Sequence, residues 1–275
     1  MSFSENNVDG VIYMTAGNIK TTHAFTTRFG GVSSGAFESL NLGLNLGDSP
    51  DNVKKNYELV SEALKISPGS FVRSNQVHGT DIRVVTRADC CAPNAFGPPA
   101  LCPLSPPPRA ADGLVTRDRC VALTIFTADC VPILLHDPVR SVIGAVHAGW
   151  RGTAADIAGA AVRKMAGEFS CRPADITAAV GPAISVCCYD TDSDVADALR
   201  AALGDSAEYC IAPRSNKYMI NLKEANRILL VKAGLRSIFV SDECTSCQSG
   251  KYWSHRRTKG VRGSQAAIIA LERIQ

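Results

Sequence analysis

Three short apolar segments in close succession place the strongest constraint on how this chain can fold. Each is rich in Val and Ile, and in chain order they are 113-GLVTRD-118, 120-CVALTIFTADCVPILLHD-137 and 141-SVIGAVHAG-149. Apolar runs with little polar alternation are typical of strands that are covered on both faces. We therefore predict neighbouring buried strands, with one of them ending inside the second segment at 127-TADC-130.

A helix is predicted directly after the third segment. In 153-TAADIAGAAVRKMAGEF-169, apolar residues recur on one helical face at Ile157, Ala161 and Met165. Thr153 and Asp156 have the spacing of a capping box at the helix start. The stretch 146-VHAGWRGT-153 therefore lies in a strand-turn-helix context.

Strands and helices alternate through the rest of the chain. Strand composition is found at residues 19–29, 82–86, 177–185 and 236–241, and helical periodicity at 50–66, 192–203 and 222–234. This alternation predicts the α/β class. A length of 275 residues allows one large domain or two compact ones. We favour a single domain over residues 1–275, with mixed β-sheets flanked by helices.

The segment 88-ADCCAPNAFGPPALCPLSPPPR-109 interrupts this pattern. It holds seven of the chain's 14 prolines and has no apolar periodicity. Such a composition predicts a loop or lid, and its length exceeds that of most ordered connections. We interpret it as a proline- and cysteine-rich surface insertion.

The composition is typical of a globular protein and argues against two classes of partner. Hydrophobic residues make up 45% and charged residues 20% of the chain. The net charge of +3 is spread without long single-sign runs, which gives little support to a nucleic-acid or membrane partner and leaves small anions open. The start, MSFSENNVDG, does not resemble a signal peptide, so we expect a cytoplasmic location.

Two histidines and one cysteine occupy polar turns or strand ends. His78 lies in 75-NQVHGTDI-82, His147 ends the third apolar segment, and Cys130 ends TADC. Two imidazoles and one thiolate form a ligand set that suits zinc and leaves a fourth position for water or substrate. Because these residues are far apart in sequence, a buried free cysteine and two hydrogen-bonded histidines remain an equally open interpretation.

The residues around His147 admit two interpretations. If His147 faces a metal, Gly149 and Gly152 allow a tight turn, and Arg151 lies near the start of the next helix, where anions are favoured. Alternatively, Trp150 packs on the core and Arg151 pairs with a carboxylate.

The remaining cysteines and the basic C-terminal cluster can be explained without a functional role. Cys244 and Cys247 form a C-x-x-C motif, but no second such motif completes a zinc knuckle, so we favour ordinary loop thiols. The tandem cysteines at 90–91 and 187–188 likewise need no chemistry. The cluster 252-YWSHRRTKGVRGS-264 can bind phosphate, although a solvated loop is the default interpretation.

Motifs along nearly the whole chain resemble one known family. They are 26-TTRFGGVSSG-35, 39-SLNLG-43, 75-NQVHG-79, 111-ADGLVT-116, 127-TADCVPILL-135, 146-VHAGWRGT-153, 180-VGPAIS-185 and 242-DECTSCQSGKYWSHRRTKGVRGSQAA-267. The chain is similar to the laccase-domain proteins, which are also called multicopper polyphenol oxidases, peptidoglycan editing factor and purine nucleoside phosphorylases. The long insertion at 88–109 departs from the family pattern. So does 189-YDTDSDV-195, where a Tyr-Glu-Val-Gly run is usual, which leaves the role of that acidic position open.

The resemblance implies both a site and an activity. It implies that His78, Cys130 and His147 bind a catalytic metal, usually taken as zinc, with copper an alternative. The nucleoside and phosphate pocket would include Arg28, Asn75, Gln76 and Arg151. The implied activity is phosphorolysis of adenosine, inosine and related purine nucleosides, together with adenosine deamination.

Residue counts and residue chemistry separate the candidate functions. A multicopper oxidase needs about ten histidines and paired H-x-H ligands, whereas this chain has five histidines and no such pair. A single metal suits phosphorolysis, with arginines holding phosphate, or deamination, with Asp112 or Asp129 carrying the proton. We prefer Asp112 for that role, since Asp129 adjoins Cys130 and so points elsewhere on a regular strand. A binding or editing factor for cell-wall precursors, with a structural metal, remains the alternative from another class.

Overall fold

The computed structural model describes residues 3–44, 46–90 and 109–271. Within these residues the strands are β1 Phe3–Val8, β2 Val11–Ala16, β3 Thr22–Thr26, β4 Phe71–Val72, β5 Ile82–Val84, β6 Gly113–Thr116, β7 Ala122–Thr127, β8 Val131–Asp137, β9 Val142–Ala148, β10 Thr177–Val180, β11 Asp190–Thr191, β12 Ile211–Arg214, β13 Lys217–Ile220, β14 Ser237–Val240 and β15 Gln265–Ala270. The helices are α1 Pro50–Leu64, α2 Trp150–Ala154, α3 Ile157–Phe169, α4 Ser193–Leu203, α5 Leu222–Lys232 and α6 His255–Thr258.

Most strands belong to two six-stranded sheets. The first sheet has the order β1-β2-β3-β15-β7-β4 and the second the order β14-β10-β8-β9-β6-β5, while β11-β13-β12 form a small third sheet. Most neighbours are antiparallel, but β4 with β7, β5 with β6 and β10 with β14 run parallel. The predicted α/β class with mixed sheets is confirmed.

Side chains that alternate along the strands fill separate apolar layers. On β9, Val142 and Val146 pack in the core that contains α3, α4 and α5, whereas Ile143 and Ala145 pack in the core shared by the two large sheets. A third core joins the first sheet to α1. Because alternate strand residues share a face, His147 points to the side where the two sheets meet.

The second apolar segment supplies one strand to each sheet. Strand β7 lies in the first sheet and β8 in the second, so residues 128–130 carry the chain from one to the other. Asp129, in this crossing, has a φ of 94°, a conformation that residues other than glycine seldom adopt. The strand break at TADC is confirmed, and strands from all three segments are neighbours in the second sheet, in the order β8-β9-β6, as predicted. Strand β7 departs from the prediction, because it belongs to the first sheet.

The helix after the third segment begins later than its sequence pattern predicts. Asp156 is the N-cap of α3, and its side chain accepts a hydrogen bond from the backbone N–H of Gly159. Thr153 lies in the short helix α2, where its hydroxyl accepts a hydrogen bond from Asn226 Nδ2 at 2.9 Å. The capping box predicted at Thr153 is therefore wrong, because that hydroxyl is used in packing α2 against α5.

The other predicted elements have counterparts in the structure. The helices at 50–66, 192–203 and 222–234 correspond to α1, α4 and α5, and the strands at 19–29, 82–86, 177–185 and 236–241 to β3, β5, β10 and β14. The prediction of an insertion falls mostly on residues 91–108, which lie outside the described residues. In the part of the chain that the structure describes, no helix is both long enough and apolar enough to cross a bilayer.

Candidate metal site

Three residues predicted as ligands converge where β8 begins and β9 ends. Cys130 immediately precedes β8, and His147, near the end of β9, pairs with Pro132 across the antiparallel ladder. His78 comes from the loop after β4, a strand of the first sheet. One potential ligand atom from each of the three residues lies within 4.8 Å of the other two. The two sheets thus supply ligands to a single group.

Gly149 allows this group to form. Val131 pairs with Ala148, so Cys130 lies across the ladder from Gly149. A Cβ atom on Gly149 would lie 2.6 Å from His78 Nδ1 and 3.4 Å from Cys130 Sγ. Any side chain at this position would therefore displace His78, which explains one of the two glycines beside Trp150 and Arg151.

Asp112 accepts hydrogen bonds from both histidines of the group. Its Oδ1 accepts hydrogen bonds from His147 Nδ1 at 2.8 Å and from the backbone N–H of His78 at 3.0 Å. Its Oδ2 accepts the backbone N–H groups of Val77 and Gly79. The residue is fully buried, and these four bonds occupy both oxygens. This geometry places Asp112 as an orienting group for the histidines and gives no contact in support of the predicted proton-carrier role.

The surroundings shift the pKa values of the two histidines in opposite directions. Burial lowers the pKa of His147, but hydrogen bonds with Asp112 and Cys130 outweigh burial and raise it to about 9. Burial, the nearby His147 and the positive Arg151 lower the pKa of His78. The two rings lie 4.9 Å apart in an edge-on arrangement. Without a metal, His147 is therefore protonated near neutral pH, and a metal ion that binds this imidazole would displace that proton.

Asp129 is turned away from the ligand group. Its carboxylate accepts hydrogen bonds from Thr245 Oγ1 at 2.6 Å, from Ser254 Oγ at 3.0 Å and from the backbone N–H of Arg256 at 2.7 Å. Although β7 has already ended, the left-handed backbone at Asp129 directs its side chain to the loops before and after residue 250. Its contacts indicate that it fixes the wall of the site, and they do not support a proton transfer.

The sequence allowed two interpretations of Trp150 and Arg151, and the structure agrees with part of each. Trp150 packs against the core of the second sheet, as the blander interpretation predicts. Arg151, however, stacks on the Trp150 ring with its Cζ 4.1 Å from the ring centroid, and within the described residues no carboxylate lies at ion-pair distance. It is exposed and close enough to His78 to affect the pKa of that residue. Its guanidinium therefore stands beside the ligand group, where it can meet an anion.

Arg262 is a charged neighbour of the site that the sequence reasoning did not single out. Burial lowers the pKa of this arginine, while electrostatic interactions with Asp129 and Cys130 oppose the shift. Its NH1 donates to Gly263 O and Ser264 Oγ, and its buried Nε has no hydrogen-bond partner. In the sequence, Arg262 belongs to the basic cluster whose default interpretation is a solvated loop. Only its burial and its position near the site distinguish it from the other basic residues of that cluster.

The predicted substrate-binding residues differ in how free their side chains are. Arg28 donates through Nε to Glu38 O at 2.7 Å and through NH1 to Ser249 O at 3.0 Å. Gln76 exchanges two hydrogen bonds of 2.8 Å with the backbone of Phe126. Asn75 is exposed, three residues before His78. Two of the three side chains therefore anchor loops, and Asn75 is the one best placed to reach a ligand.

The donor set fits zinc. Two imidazoles and one thiolate are nitrogen and sulfur ligands of the kind zinc accepts, and three protein ligands leave one position open. The bond from His147 to Asp112 is the usual support for a histidine that binds a metal through its other nitrogen. Four histidines or more, as a copper cluster needs, do not come together anywhere in residues 3–44, 46–90 and 109–271.

Comparisons of sequence agree on one family. The family described as multi-copper polyphenol oxidoreductase laccase matches residues 22–272. The purine nucleoside phosphorylase YlmD of Geobacillus stearothermophilus is 40% identical over 247 residues, covering 89% of this chain and 88% of that protein. The purine nucleoside phosphorylase of Deinococcus radiodurans is 38% identical over 265 residues, covering 96% and 94%.

Solved structures show the same architecture. The crystal structure of YlmD from Geobacillus stearothermophilus is similar with a TM-score of 0.90 and 36% identity, covering 98% of this chain and 99% of that one. The Neisseria meningitidis protein NMB0706 is similar with a TM-score of 0.76 and 28% identity, covering 99% and 100%. From its sequence match, its relatives and its fold, this chain belongs to the laccase-like family described as multi-copper polyphenol oxidoreductase laccase.

Proposed function

We propose that this protein is a zinc-dependent purine nucleoside phosphorylase acting on adenosine, inosine and related nucleosides. The observation that carries the proposal is the convergence of His78, Cys130 and His147, with ligand atoms within 4.8 Å of one another. It occurs in a chain whose relatives at 36% to 40% identity are named purine nucleoside phosphorylase. Copper is the alternative ion, and a cytoplasmic location remains our expectation.

Phosphorolysis requires the site to bring an anion to the ribose. An oxygen of hydrogen phosphate forms a bond to C1′ as the bond from C1′ to the purine nitrogen breaks, and the proton given up by hydrogen phosphate passes to the purine. The products are ribose 1-phosphate and the free base. The metal, when bound by the three ligands, supplies a Lewis acid that stabilises developing negative charge. The arginines beside the metal site would hold the phosphate.

Arg151 and Arg262 are our candidates for holding phosphate. Both lie close to the ligand group, Arg151 through its effect on His78 and Arg262 through its proximity to Cys130. A guanidinium binds phosphate through paired, charge-assisted hydrogen bonds. Arg28 is a weaker candidate, because backbone carbonyl groups already accept hydrogen bonds from its Nε and NH1.

The loop that carries His78 is our candidate for the nucleoside-binding side. Gln76 anchors the loop to Phe126, and Asp112 accepts three of its backbone N–H groups. The loop is thus held rigidly while the Asn75 side chain stays exposed. An amide can accept and donate hydrogen bonds at once, which suits the edge of a purine or a ribose hydroxyl.

Adenosine deamination is a second proposed activity of the same site. One thiolate and two imidazoles resemble the mixed His and Cys ligands of zinc deaminases. Those enzymes also need a free carboxylate to move the proton. Asp112 and Asp129 are both occupied by hydrogen bonds, so this geometry supports deamination less well than phosphorolysis.

Metal analysis combined with a nucleoside screen tests the proposal. The purified protein is incubated with adenosine, inosine or guanosine, with and without phosphate, and free bases, inosine and ribose 1-phosphate are separated by chromatography. We expect release of free base that requires phosphate and disappears on metal chelation. Base release that is independent of phosphate, or full activity without metal, would disprove the assignment.

The same chelation experiment addresses the alternative of a binding factor with a structural metal. Removing an ion from an open three-ligand site should abolish turnover and leave most of the thermal stability, because the cores lie elsewhere. A protein that binds cell-wall precursors without turnover, and that melts when this metal is removed, would support the alternative instead.

A further inference from the structure

A second group of sulfur ligands lies outside the site described above. The Sγ atoms of Cys187, Cys188, Cys244 and Cys247 all lie within 4.8 Å of one another. Cys247 Sγ is 3.4 Å from the Sγ atoms of both Cys187 and Cys188. We propose that these residues, the four-cysteine cluster, bind a structural zinc ion.

The spacing of the sulfur atoms fits one tetrahedral ion better than a disulfide. Zinc–sulfur bonds of about 2.3 Å place the sulfurs of a tetrahedral site about 3.8 Å apart, inside the range found here. A disulfide bond of about 2.05 Å joins only two of them. Because Cys247 is equally close to Cys187 and Cys188, a disulfide to one would leave the other and Cys244 as unpaired thiols. A single ion uses all four.

Two neighbouring strands bring the cysteines together. Strands β10 and β14 are parallel neighbours, and each is followed by a loop that carries one cysteine pair. Ala183 and Cys244 form a bridge between these loops, and the backbone N–H of Thr245 donates to Ala183 O at 3.1 Å. Backbone hydrogen bonds thus align the two loops, and this alignment brings the four cysteines together.

A backbone N–H group beside Cys244 favours the form of the cysteine that binds metal. The N–H of Ser185 donates to Cys244 Sγ at 3.3 Å. Hydrogen bonds to a sulfur stabilise the thiolate relative to the thiol, and the thiolate is the metal ligand.

A buried lysine supplies compensating charge. The side chain of Lys223 is 5% exposed, and its Nζ donates to Ser241 O at 2.7 Å and to Glu243 O at 3.0 Å. Cys244 and Cys187 are near enough to interact with its charge. Four thiolates around one zinc ion carry excess negative charge, which a fixed ammonium group offsets.

The zinc ion would stiffen one wall of the first site. Thr245, next to Cys244, donates its hydroxyl hydrogen bond to Asp129, which adjoins Cys130. On the other loop, the backbone N–H of Ile184 donates to Asp129 O at 2.9 Å. A closed site with four protein ligands has no position for substrate, so its role is to hold these loops together.

Metal stoichiometry in matched variants tests the proposal. The wild-type protein, Cys130→Ala, the double variant Cys187→Ser with Cys247→Ser, and the control Cys120→Ser are purified under reducing conditions and analysed by plasma mass spectrometry. We expect the double variant to contain one zinc equivalent less than the wild type. Cys130→Ala should keep that equivalent, and Cys120→Ser should match the wild type. An unchanged zinc content in the double variant overturns the proposal, and so does iron in place of zinc.

Cobalt provides a test that does not depend on how the double variant folds. Cys130→Ala lacks the single thiolate of the first site, so any sulfur-to-cobalt charge-transfer band in this variant must come from another cysteine group. We expect Cys130→Ala, once stripped of metal and loaded with Co²⁺, to show intense tetrahedral thiolate bands. Absence of these bands, or a disulfide among the four cysteines in the native protein by alkylation and mass spectrometry, overturns the proposal.

Discussion

The two ligand groups of this protein are built in opposite ways. His78, Cys130 and His147 lie where buried strands of two sheets meet, and Asp112 accepts hydrogen bonds from the imidazole of His147 and from the backbone N–H of His78. The four-cysteine cluster lies on two loops, has two exposed members, and is shaped by backbone hydrogen bonds. The first group offers three ligands and the second four.

Ligand number and structural setting separate two roles for a bound metal. A three-ligand group at the junction of rigid sheets has precise geometry and one position free for chemistry. A four-ligand group on loops has no free position, but it restrains chain segments that would otherwise be held only by a few hydrogen bonds. Variants in the first group should therefore change activity, and variants in the second should change stability.

The largest effect is expected for a lost ligand in the first group. His147→Ala or Cys130→Ala should lose the metal of that group and all measurable phosphorolysis, yet remain folded, because the apolar cores are elsewhere. Activity is measured as phosphate-dependent base release, and folding by circular dichroism.

A buried histidine outside both groups is the matched control for this experiment. His23 accepts a hydrogen bond from the backbone N–H of Ala16 at 2.8 Å, and its Nδ1 bonds Thr21 O at 2.8 Å. His23→Gln should lower the melting temperature and keep metal and activity. Full metal occupancy in Cys130→Ala, or metal loss in His23→Gln as large as in His147→Ala, would contradict the ligand assignment.

The next largest effect is expected for Arg151. Arg151→Ala should keep its metal and lose phosphate-dependent base release by about a hundredfold, because two charge-assisted hydrogen bonds to phosphate disappear. Any deamination of adenosine should be reduced less, since that reaction brings no free anion into the site. Chromatography of adenine, hypoxanthine and inosine from one reaction measures both.

Two other arginines sharpen this prediction. Arg163→Ala is the control, because Arg163 is exposed and pairs with Asp156 on α3, so both activities should be unchanged. Arg262→Ala should resemble Arg151→Ala if both hold phosphate. Equal loss of both activities in Arg151→Ala would show that Arg151 supports the structure around His147, and no loss would move the phosphate pocket to Arg262 or Arg28.

An intermediate effect is expected for the residue beneath the first group. Asp112→Asn keeps the size of the side chain but replaces one acceptor oxygen by a donor, so the histidines lose part of their orientation. We expect metal affinity to fall by about 10- to 100-fold. Competition with a chromogenic chelator measures the affinity. Asp129→Asn is the matched control, since its carboxylate accepts three hydrogen bonds and none of them comes from a histidine. Equal losses of affinity in both variants would remove the special role of Asp112.

Local sequence patterns predicted several of the main elements, while the first ligand group needed the family resemblance as well. Apolar runs and helical spacing predicted α1, α4, α5, β8 and β9 because these elements bury a continuous face. Donor chemistry and the family resemblance together pointed to His78, Cys130 and His147, which the structure brings together. The assignment as ligands stays a prediction until a metal is measured.

Local sequence patterns could not predict features that depend on contacts between distant segments of the chain. The two cysteine pairs are separated by more than fifty residues, and only the pairing of β10 with β14 brings them together. Similarly, β7 and β8 separate because the left-handed Asp129 is stabilised by Thr245 and Ser254 from the far end of the chain. The proton-carrier role preferred for Asp112 rested on residue type, without knowledge of the N–H groups that surround it.

The smallest effect on catalysis is expected for the four-cysteine cluster, and it is the sharpest test of the comparison. Cys187→Ser combined with Cys247→Ser removes the two exposed ligands and leaves every residue of the first group in place. Because both side chains lie outside the first group, kcat/KM for inosine should change by less than about threefold at low temperature. The melting temperature should fall, and zinc should no longer raise it, since binding only to the folded state is what links the ion to stability. Cys120→Ser should match the wild type in both measurements. If the double variant instead lost activity as completely as His147→Ala while remaining folded, the two groups would act as one site, and the division between an open catalytic group and a closed structural one would fail.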